Sequence, residues 1–129
     1  MNGSVGKTAV VVEDNDESFE FLKAILECLG YAVTRAPHEG QAFHQQVAAF
    51  ASADLIVLDI ILSESIDGFE VVKALTEHEF HGALIVASAN AKNYIDSLIQ
   101  VAEGNGIRVL TGIEKPYRKQ DFEVALQGT

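Results

Sequence analysis

The amino-acid sequence predicts a doubly wound α/β sandwich, in which helices cover both faces of one five-stranded parallel sheet. Short apolar runs recur along the chain, and a longer segment with helical periodicity follows each of them. No internal repeat or low-complexity tract interrupts this alternation. Five β-α units with right-handed crossovers predict a flavodoxin-like (βα)5 three-layer sandwich with strand order 2-1-3-4-5.

The predicted strands are apolar runs that contain many β-branched residues. They are Thr8–Val12, Tyr31–Thr34, Leu55–Leu58, Leu84–Ala87 and Ile107–Leu110. Three of the five are almost continuously apolar, which is expected of parallel strands that are covered on both faces.

The predicted helices lie between these runs and have apolar residues at helical spacing. The first contains the stripe Ser18, Leu22, Ile25 and Leu29, with Gly30 at its C-terminal cap. In the second, Ala42, Val47 and Ala48 are expected to face inward. The remaining boundaries are His38–Phe50 for the second helix, Asp67–Glu77 for the third, Asn90–Glu103 for the fourth and a start near Lys119 for the fifth.

Length and composition indicate a single globular domain over residues 1–129. Residues 1–7 are expected to be flexible, and the short last helix suggests a chain cut from a longer protein. The net charge of −10, with 9 Lys+Arg against 19 Asp+Glu, argues against nucleic-acid binding by this domain alone. No apolar run approaches the roughly 20 residues that span a bilayer, so no membrane association is expected.

The N-terminus lacks the apolar core of a signal peptide, and Cys28 is the sole cysteine of the sequence. We interpret Cys28 as a buried thiol in a reducing compartment and expect a cytoplasmic protein.

Polar residues close four of the five predicted strands. Strand one ends in Glu13-Asp14, strand three in Asp59, strand four in Ser88, and strand five continues into Lys115. Strand two ends at Arg35, where no chemistry is predicted. In the order 2-1-3-4-5 these four strand ends are contiguous, so their polar groups should converge.

Carboxylates without Cys or His ligands suit Mg²⁺, and an ammonium and a hydroxyl suit a phosphoryl group. Asp59 is the best candidate nucleophile, since it follows the rigid run DLIVL. Of Glu13 and Asp14, one is expected to bind the metal directly and the other through water.

The chain resembles the response-regulator receiver family over nearly its whole length, in the stretches VVVEDN, LIVLDI, DGFEV, LIVASA and EKPY. The resemblance implies Mg²⁺- or Mn²⁺-dependent phosphorylation of Asp59 by a sensor histidine kinase or a histidine phosphotransfer protein. It also implies the roles of the surrounding residues. The metal would be held by Asp14, Asp59 and the main-chain oxygen of Ile61, with Glu13 acting through water; Lys115, Ser88 and the main chain of Ile60 and Ala89 would contact the phosphoryl group.

Three departures from the family pattern bear on the response to phosphorylation and on its reversal. Ser63 replaces the usual proline of the loop after Asp59, and Gly112 replaces the switch aromatic. Ile61, which with Asn90 flanks the path of the hydrolytic water, cannot orient that water by a hydrogen bond, so slow autodephosphorylation is expected. The segment IRVLTGIEKPY is similar to receivers attached to Glu-Ala-Leu phosphodiesterase domains.

Two other functions are alternatives to the phosphorylatable switch. A pseudo-receiver, which interacts without being phosphorylated, usually lacks one or more of the acidic, hydroxyl and lysine residues present here. A haloacid-dehalogenase-like phosphatase needs a second Asp at position 61, which is Ile61. The chain is therefore not expected to be an enzyme beyond its own phosphotransfer and hydrolysis.

The resemblance also implies interaction surfaces. Phe19 is a candidate for kinase docking, although packing at the edge of the core is the alternative. The face formed by helix 4, strand 5 and helix 5 would bind a second copy, or an output domain C-terminal to this chain would receive the signal.

Overall fold

Strands and helices alternate through the computed structural model, which describes residues 7–13, 15–37, 40–60, 68–88, 92–114 and 118–127. Within these ranges the strands are β1 (Lys7–Val12), β2 (Tyr31–Ala36), β3 (Leu55–Ile60), β4 (Ala83–Ser88) and β5 (Arg108–Glu114). The helices are α1 (Asp16–Cys28), α2 (Gly40–Phe50), α3 (Gly68–Glu77), α4 (Lys92–Gly104) and α5 (Lys119–Leu126).

The sheet has the predicted strand order β2-β1-β3-β4-β5, and every neighbouring pair is parallel. Because parallel strands all end at the same edge, the segments that follow β1, β3, β4 and β5 lie side by side. The predicted fold class and topology are confirmed.

Alternation along the strands divides the core into two layers. On one face, Val10, Ile56, Leu58 and Leu84 pack with α2, α3 and α4. On the other face, residues of opposite parity pack with α1 and α5. They include Ala9, Val11, Leu55, Val57 and Ile85. Each face of the sheet is therefore buried, which explains why the strands contain few polar residues.

Turn chemistry at the ends of the helices agrees with the sequence at one notable point. Gly30 follows Leu29, the C-terminal cap of α1, and has a φ of 99°, a conformation that a residue with a Cβ rarely adopts. It turns the chain directly into β2, as the sequence pattern indicated.

Two expectations about individual side chains were wrong. Cys28 is exposed rather than buried, since it lies at the end of α1 outside the buried stripe of Leu22, Ile25 and Leu26. In α2 the residue facing inward beside Val47 is not Ala48, which is exposed. The buried side chains of that helix are the large ones, Phe43, Val47 and Phe50.

Strand β5 is longer than its apolar run. It continues to Glu114, and the pairing with β4 shifts between Leu84 and Ile85, so that Val109 and Thr111 are their respective partners. Because of this irregularity and the polar residue Thr111, the second half of the strand does not form an apolar run in the sequence.

None of the helices in the described part of the chain combines the length and apolar character that crossing a membrane requires.

Candidate functional site

Two buried acids lie at the carboxyl ends of adjacent strands. Asp59, in β3, is 4% exposed, and Glu13, directly after β1, is fully buried. Val12 pairs with Leu58, so Glu13 and Asp59 each follow the last registered pair by one residue. Alternation places both on the face of α1 and α5, because Val11 and Val57 belong to that layer. The sheet therefore places the acidic ends of the first and third strands side by side, as predicted.

The turn between β1 and α1 fixes the Glu13 side chain. The main-chain N–H of Asn15 donates to Oε1 of Glu13 at 3.0 Å. The Asn15 side chain in turn caps α1, its Oδ1 accepting from the N–H of Ser18 at 2.8 Å. Asn15 thus both orients the Glu13 side chain, through its main-chain N–H, and caps the start of α1, through its side chain.

Arg35 at the end of β2 is part of this arrangement, although no pattern in the sequence pointed to it. Its Nε and Nη2 both donate to the main-chain oxygen of Glu13, at 3.0 and 2.9 Å. Its Nη1 donates to Oδ1 of Asp16 at 2.7 Å, and its Cζ lies 4.9 Å from the centroid of the Phe19 ring. Glu13 and Asp16 lie 22 and 19 positions away along the chain, so no local pattern could reveal these contacts.

The other predicted site residues are only partly open to description. The main chain of Ser88, the last residue of β4, pairs with Ile60 on one side and Glu114 on the other. Ser88 is therefore one register step beyond Asp59, which pairs with Ala87. Four predicted residues lie outside the described residues: Asp14, Ile61, Ala89 and Lys115.

The chemistry of the described donors suits a hard divalent cation. Glu13 and Asp59 offer carboxylate oxygens at a buried sheet edge, and burying two acids together is unfavourable unless cations or hydrogen bonds compensate them. Within the described ranges no group of three Asp, Glu, His or Cys side chains could hold a metal. Glu13 and Asp59 are suitable ligands for Mg²⁺, but they would supply only two members of a larger set of oxygen ligands.

Gly112 in β5 occupies the position where an aromatic was expected from the family pattern, and α4 fills the space above it. A Cβ built on Gly112 would lie 2.5 Å from Cγ2 of Ile95 and 2.9 Å from Cδ1 of Ile99. Both isoleucines belong to α4, so the absence of a side chain lets this helix pack directly against the strand. Tyr117, the aromatic that follows β5 in the sequence, lies outside the described residues.

Phe19, the predicted docking residue, is half-buried. It packs against the core layer shared by α1 and α5 and lies under the Arg35 guanidinium. Phe21 is the large apolar residue that α1 exposes, with 48% of its surface accessible. Phe19 thus packs at the edge of the core, and its role in kinase docking stays a prediction.

Comparison with known families decides what this arrangement belongs to. The family model described as the response regulator receiver domain matches residues 9–127. The chain belongs to the receiver domain family. It is thus a module of two-component signalling. In the receiver domain family, phosphorylation of an aspartate is the typical mechanism, and it generally depends on Mg²⁺.

Curated relatives of this receiver domain are themselves response regulators. It is 31% identical over 108 residues to the nisin biosynthesis regulatory protein NisR of Lactococcus lactis subsp. lactis, covering 84% of the chain and 43% of that protein. It is 27% identical over 123 residues to the response regulator GtcR of Aneurinibacillus migulanus, covering 95% and 47%. The chain therefore spans less than half the length of either relative.

Solved structures share the fold of this receiver domain. A CheY-like receiver domain from Methylobacillus flagellatus superposes with a TM-score of 0.73 at 23% identity, covering 95% of this chain and 97% of that one. The N-terminal domain of a response regulator/sensory box/GGDEF three-domain protein from Carboxydothermus hydrogenoformans gives 0.73 at 22%, covering 95% and 92%. At these identities the likeness establishes the fold.

Proposed function

We propose that Asp59 of this receiver domain accepts a phosphoryl group from a phosphohistidine of a sensor kinase or of a histidine phosphotransfer protein. The observation that carries the proposal is the burial of Asp59 beside Glu13 at adjacent strand ends. A carboxylate at the end of a rigid, buried strand is held in one orientation, which suits in-line attack on phosphorus. The N–P bond of the donor breaks as an O–P bond to Asp59 forms.

A divalent cation, Mg²⁺ or Mn²⁺, would be held by Asp14, Asp59 and the main-chain oxygen of Ile61, with Glu13 acting through water. When bound, the cation neutralises charge on the phosphoryl oxygens. Glu13 is already oriented by the N–H of Asn15, so its carboxylate needs little rearrangement to take part.

The remaining contacts to the phosphoryl group are assigned to the neighbouring strand ends. Lys115, which directly follows β5, would pair with a phosphoryl oxygen, and the Ser88 hydroxyl would donate to another. The main-chain N–H groups of Ile60 and Ala89 would complete the set. In this scheme the domain is not an enzyme acting on other molecules, since its chemistry is limited to its own acyl phosphate.

The response to phosphorylation would pass through α4 rather than through a rotating aromatic ring. Gly112 offers no side chain, and Ile95 and Ile99 of α4 rest on it. A shift of Ser88 toward the phosphoryl group would be transmitted by movement of α4 over β5. The surface of α4, β5 and α5 would then bind a second copy or an output domain. We place this signalling in the cytoplasm.

Incubation with Mg²⁺ and a small acyl phosphate donor tests the proposal by intact mass. We expect a gain of one phosphoryl group that is lost in Asp59→Asn and in the presence of EDTA. Asp54→Asn is the matched control, because Asp54 lies at the other end of β3 and accepts from the N–H of Thr8 at 2.8 Å. This control should be phosphorylated like the wild type.

Two outcomes would contradict the assignment. No mass gain in the wild type would favour a pseudo-receiver that works by association alone. Repeated turnover of a phosphoester substrate would favour a phosphatase.

A further inference from the structure

All three nitrogens of the Arg35 guanidinium group donate hydrogen bonds, and the group also lies over an aromatic ring. Two of its nitrogens donate to the main-chain oxygen of Glu13, the third donates to Asp16, and the Phe19 ring lies beneath it. Such a bidentate arrangement on one carbonyl fixes both the position and the direction of the peptide group.

These contacts bracket the acidic loop that follows β1. Glu13 is its first residue, and Asp16 is the first residue of α1, so Arg35 holds the chain on both sides of Asp14. The restraint comes from β2, a different strand, whose register with β1 places Arg35 opposite Val11. From there the side chain reaches two residues further along β1, to the point where the strand ends.

The ion pair with Asp16 does not by itself explain this arrangement. The Asp16 side chain is 88% exposed, and exposed ion pairs contribute little to folding. The part-buried bonds to the Glu13 oxygen are different, because they act on the buried acid at the strand end adjacent to that of Asp59.

We propose that Arg35 is a positioning residue for the divalent cation: it holds the main chain of Glu13, at the strand end adjacent to that of Asp59, in the position that metal binding requires. This inference rests on the proposed function, since it presupposes a metal at that edge. Arg35 does not touch the metal or the phosphoryl group. It acts through the main chain of Glu13, in the way that outer-shell groups orient metal ligands.

The test measures Mg²⁺ affinity by isothermal titration calorimetry on the 129-residue chain, with no phosphodonor present. Arg35→Met removes every donor but keeps a stem of similar length over Phe19. We expect it to weaken Mg²⁺ binding about 10- to 100-fold, the range typical of lost outer-shell contacts. Arg35→Lys keeps the charge without the two-pronged geometry, so it should recover only a small part of the affinity.

Arg108→Met is the matched control, because it removes the same charge from the opposite end of the sheet, at the first residue of β5. Its Mg²⁺ affinity should equal that of the wild type. Urea unfolding in EDTA provides the second readout: a purely structural role for Arg35 would lower stability there and leave Mg²⁺ binding of the folded protein unchanged.

The outcomes separate this inference from the proposed function. If the wild type binds Mg²⁺ and loses binding in Asp59→Asn, but Arg35→Met and Arg35→Lys bind as the wild type does, the role of Arg35 is refuted and the function stands. If the wild type does not bind Mg²⁺, both are refuted. An equal loss in Arg108→Met would reduce the effect to net charge and also overturn the positioning role.

Discussion

Replacing Gly112 by alanine is expected to destabilise the domain, because α4 already occupies the space that a Cβ atom needs. The new atom would lie 2.5 Å from Cγ2 of Ile95 and 2.9 Å from Cδ1 of Ile99. Carbon atoms in favourable contact are about 3.5–4.0 Å apart, so both distances are repulsive. Ile95 is 3% exposed and has little room to withdraw.

The sign of the effect distinguishes a clash at this position from the general behaviour of glycine. Gly112 does not share the positive φ of Gly30 and Gly106, so without a clash Gly→Ala would stabilise by about 0.4–1 kcal/mol. Overpacking a core typically costs about 1–3 kcal/mol. The net expected loss is therefore about 0.5–2 kcal/mol, or about 2–10 °C in Tm for a domain of this size.

Calorimetry and urea unfolding of Gly112→Ala measure this loss, and Ile95 provides the double-mutant cycle. Ile95→Ala removes the methyl group that Gly112→Ala would meet, whereas Ile95→Val retains it. We expect Gly112→Ala to cost about 1 kcal/mol less in the Ile95→Ala background than in the wild type, with no such relief in Ile95→Val. A Tm for Gly112→Ala at or above that of the wild type, or an equal cost in all three backgrounds, would refute the reasoning.

Two further predictions concern hydrolysis and titration. In the receiver pattern, position 61 flanks the path of the hydrolytic water, and the apolar side chain of isoleucine cannot hydrogen-bond that water. The phosphorylated domain should therefore lose its phosphoryl group slowly in Mg²⁺, and Ile61→Asn should shorten its lifetime. A wild-type half-life of seconds would contradict this. The pKa of Lys119 is raised above 10.5. The largest cause is a hydrogen bond with the Cys28 side chain, followed by the charge of Cys28 and then by the charge of Glu123. Because the folded-state pKa is the higher one, this contribution to stability is present below pH 10.5 and is lost as the pH rises through the folded-state pKa. In Cys28→Ala the pKa of Lys119, measured by NMR, should fall toward 10.5, and an unchanged value would contradict the contact.

The fold could be predicted because its strands are buried on both faces. Runs such as Leu55–Leu58 are apolar throughout, and that composition is sufficient to locate a central strand. Boundaries were less accurate where polar residues continue an element. β2 extends to Ala36 through Arg35, and β5 extends to Glu114 through Thr111.

The candidate site was predictable where a residue type and a strand end coincide, as at Glu13 and Asp59. It was not predictable where the contact is long-range. Arg35 lies in an unremarkable edge strand, and only the pairing of β2 with β1 brings its guanidinium to the Glu13 oxygen. The meaning of Gly112 likewise depends on how closely α4 packs on β5, which the sequence of either element does not specify.

Cys28 and α2 illustrate a second limit. Helical periodicity identifies an apolar stripe, but its edges depend on which side chains are large enough to reach the sheet. In α2 the sheet is covered by Phe43, Val47 and Phe50, so Ala48 remains exposed. At the end of α1, Cys28 lies outside the buried stripe and is therefore exposed.

The most direct test of the central claim locates the phosphorylated residue. Phosphorylation in Mg²⁺ followed by borohydride reduction converts an aspartyl phosphate to homoserine, which peptide mass mapping can assign to one position. We predict homoserine at position 59, and none there in the protein treated without phosphodonor. Reduction at another aspartate, or no reduction at all in a protein shown to be folded, would contradict the claim that Asp59 is the phosphoacceptor.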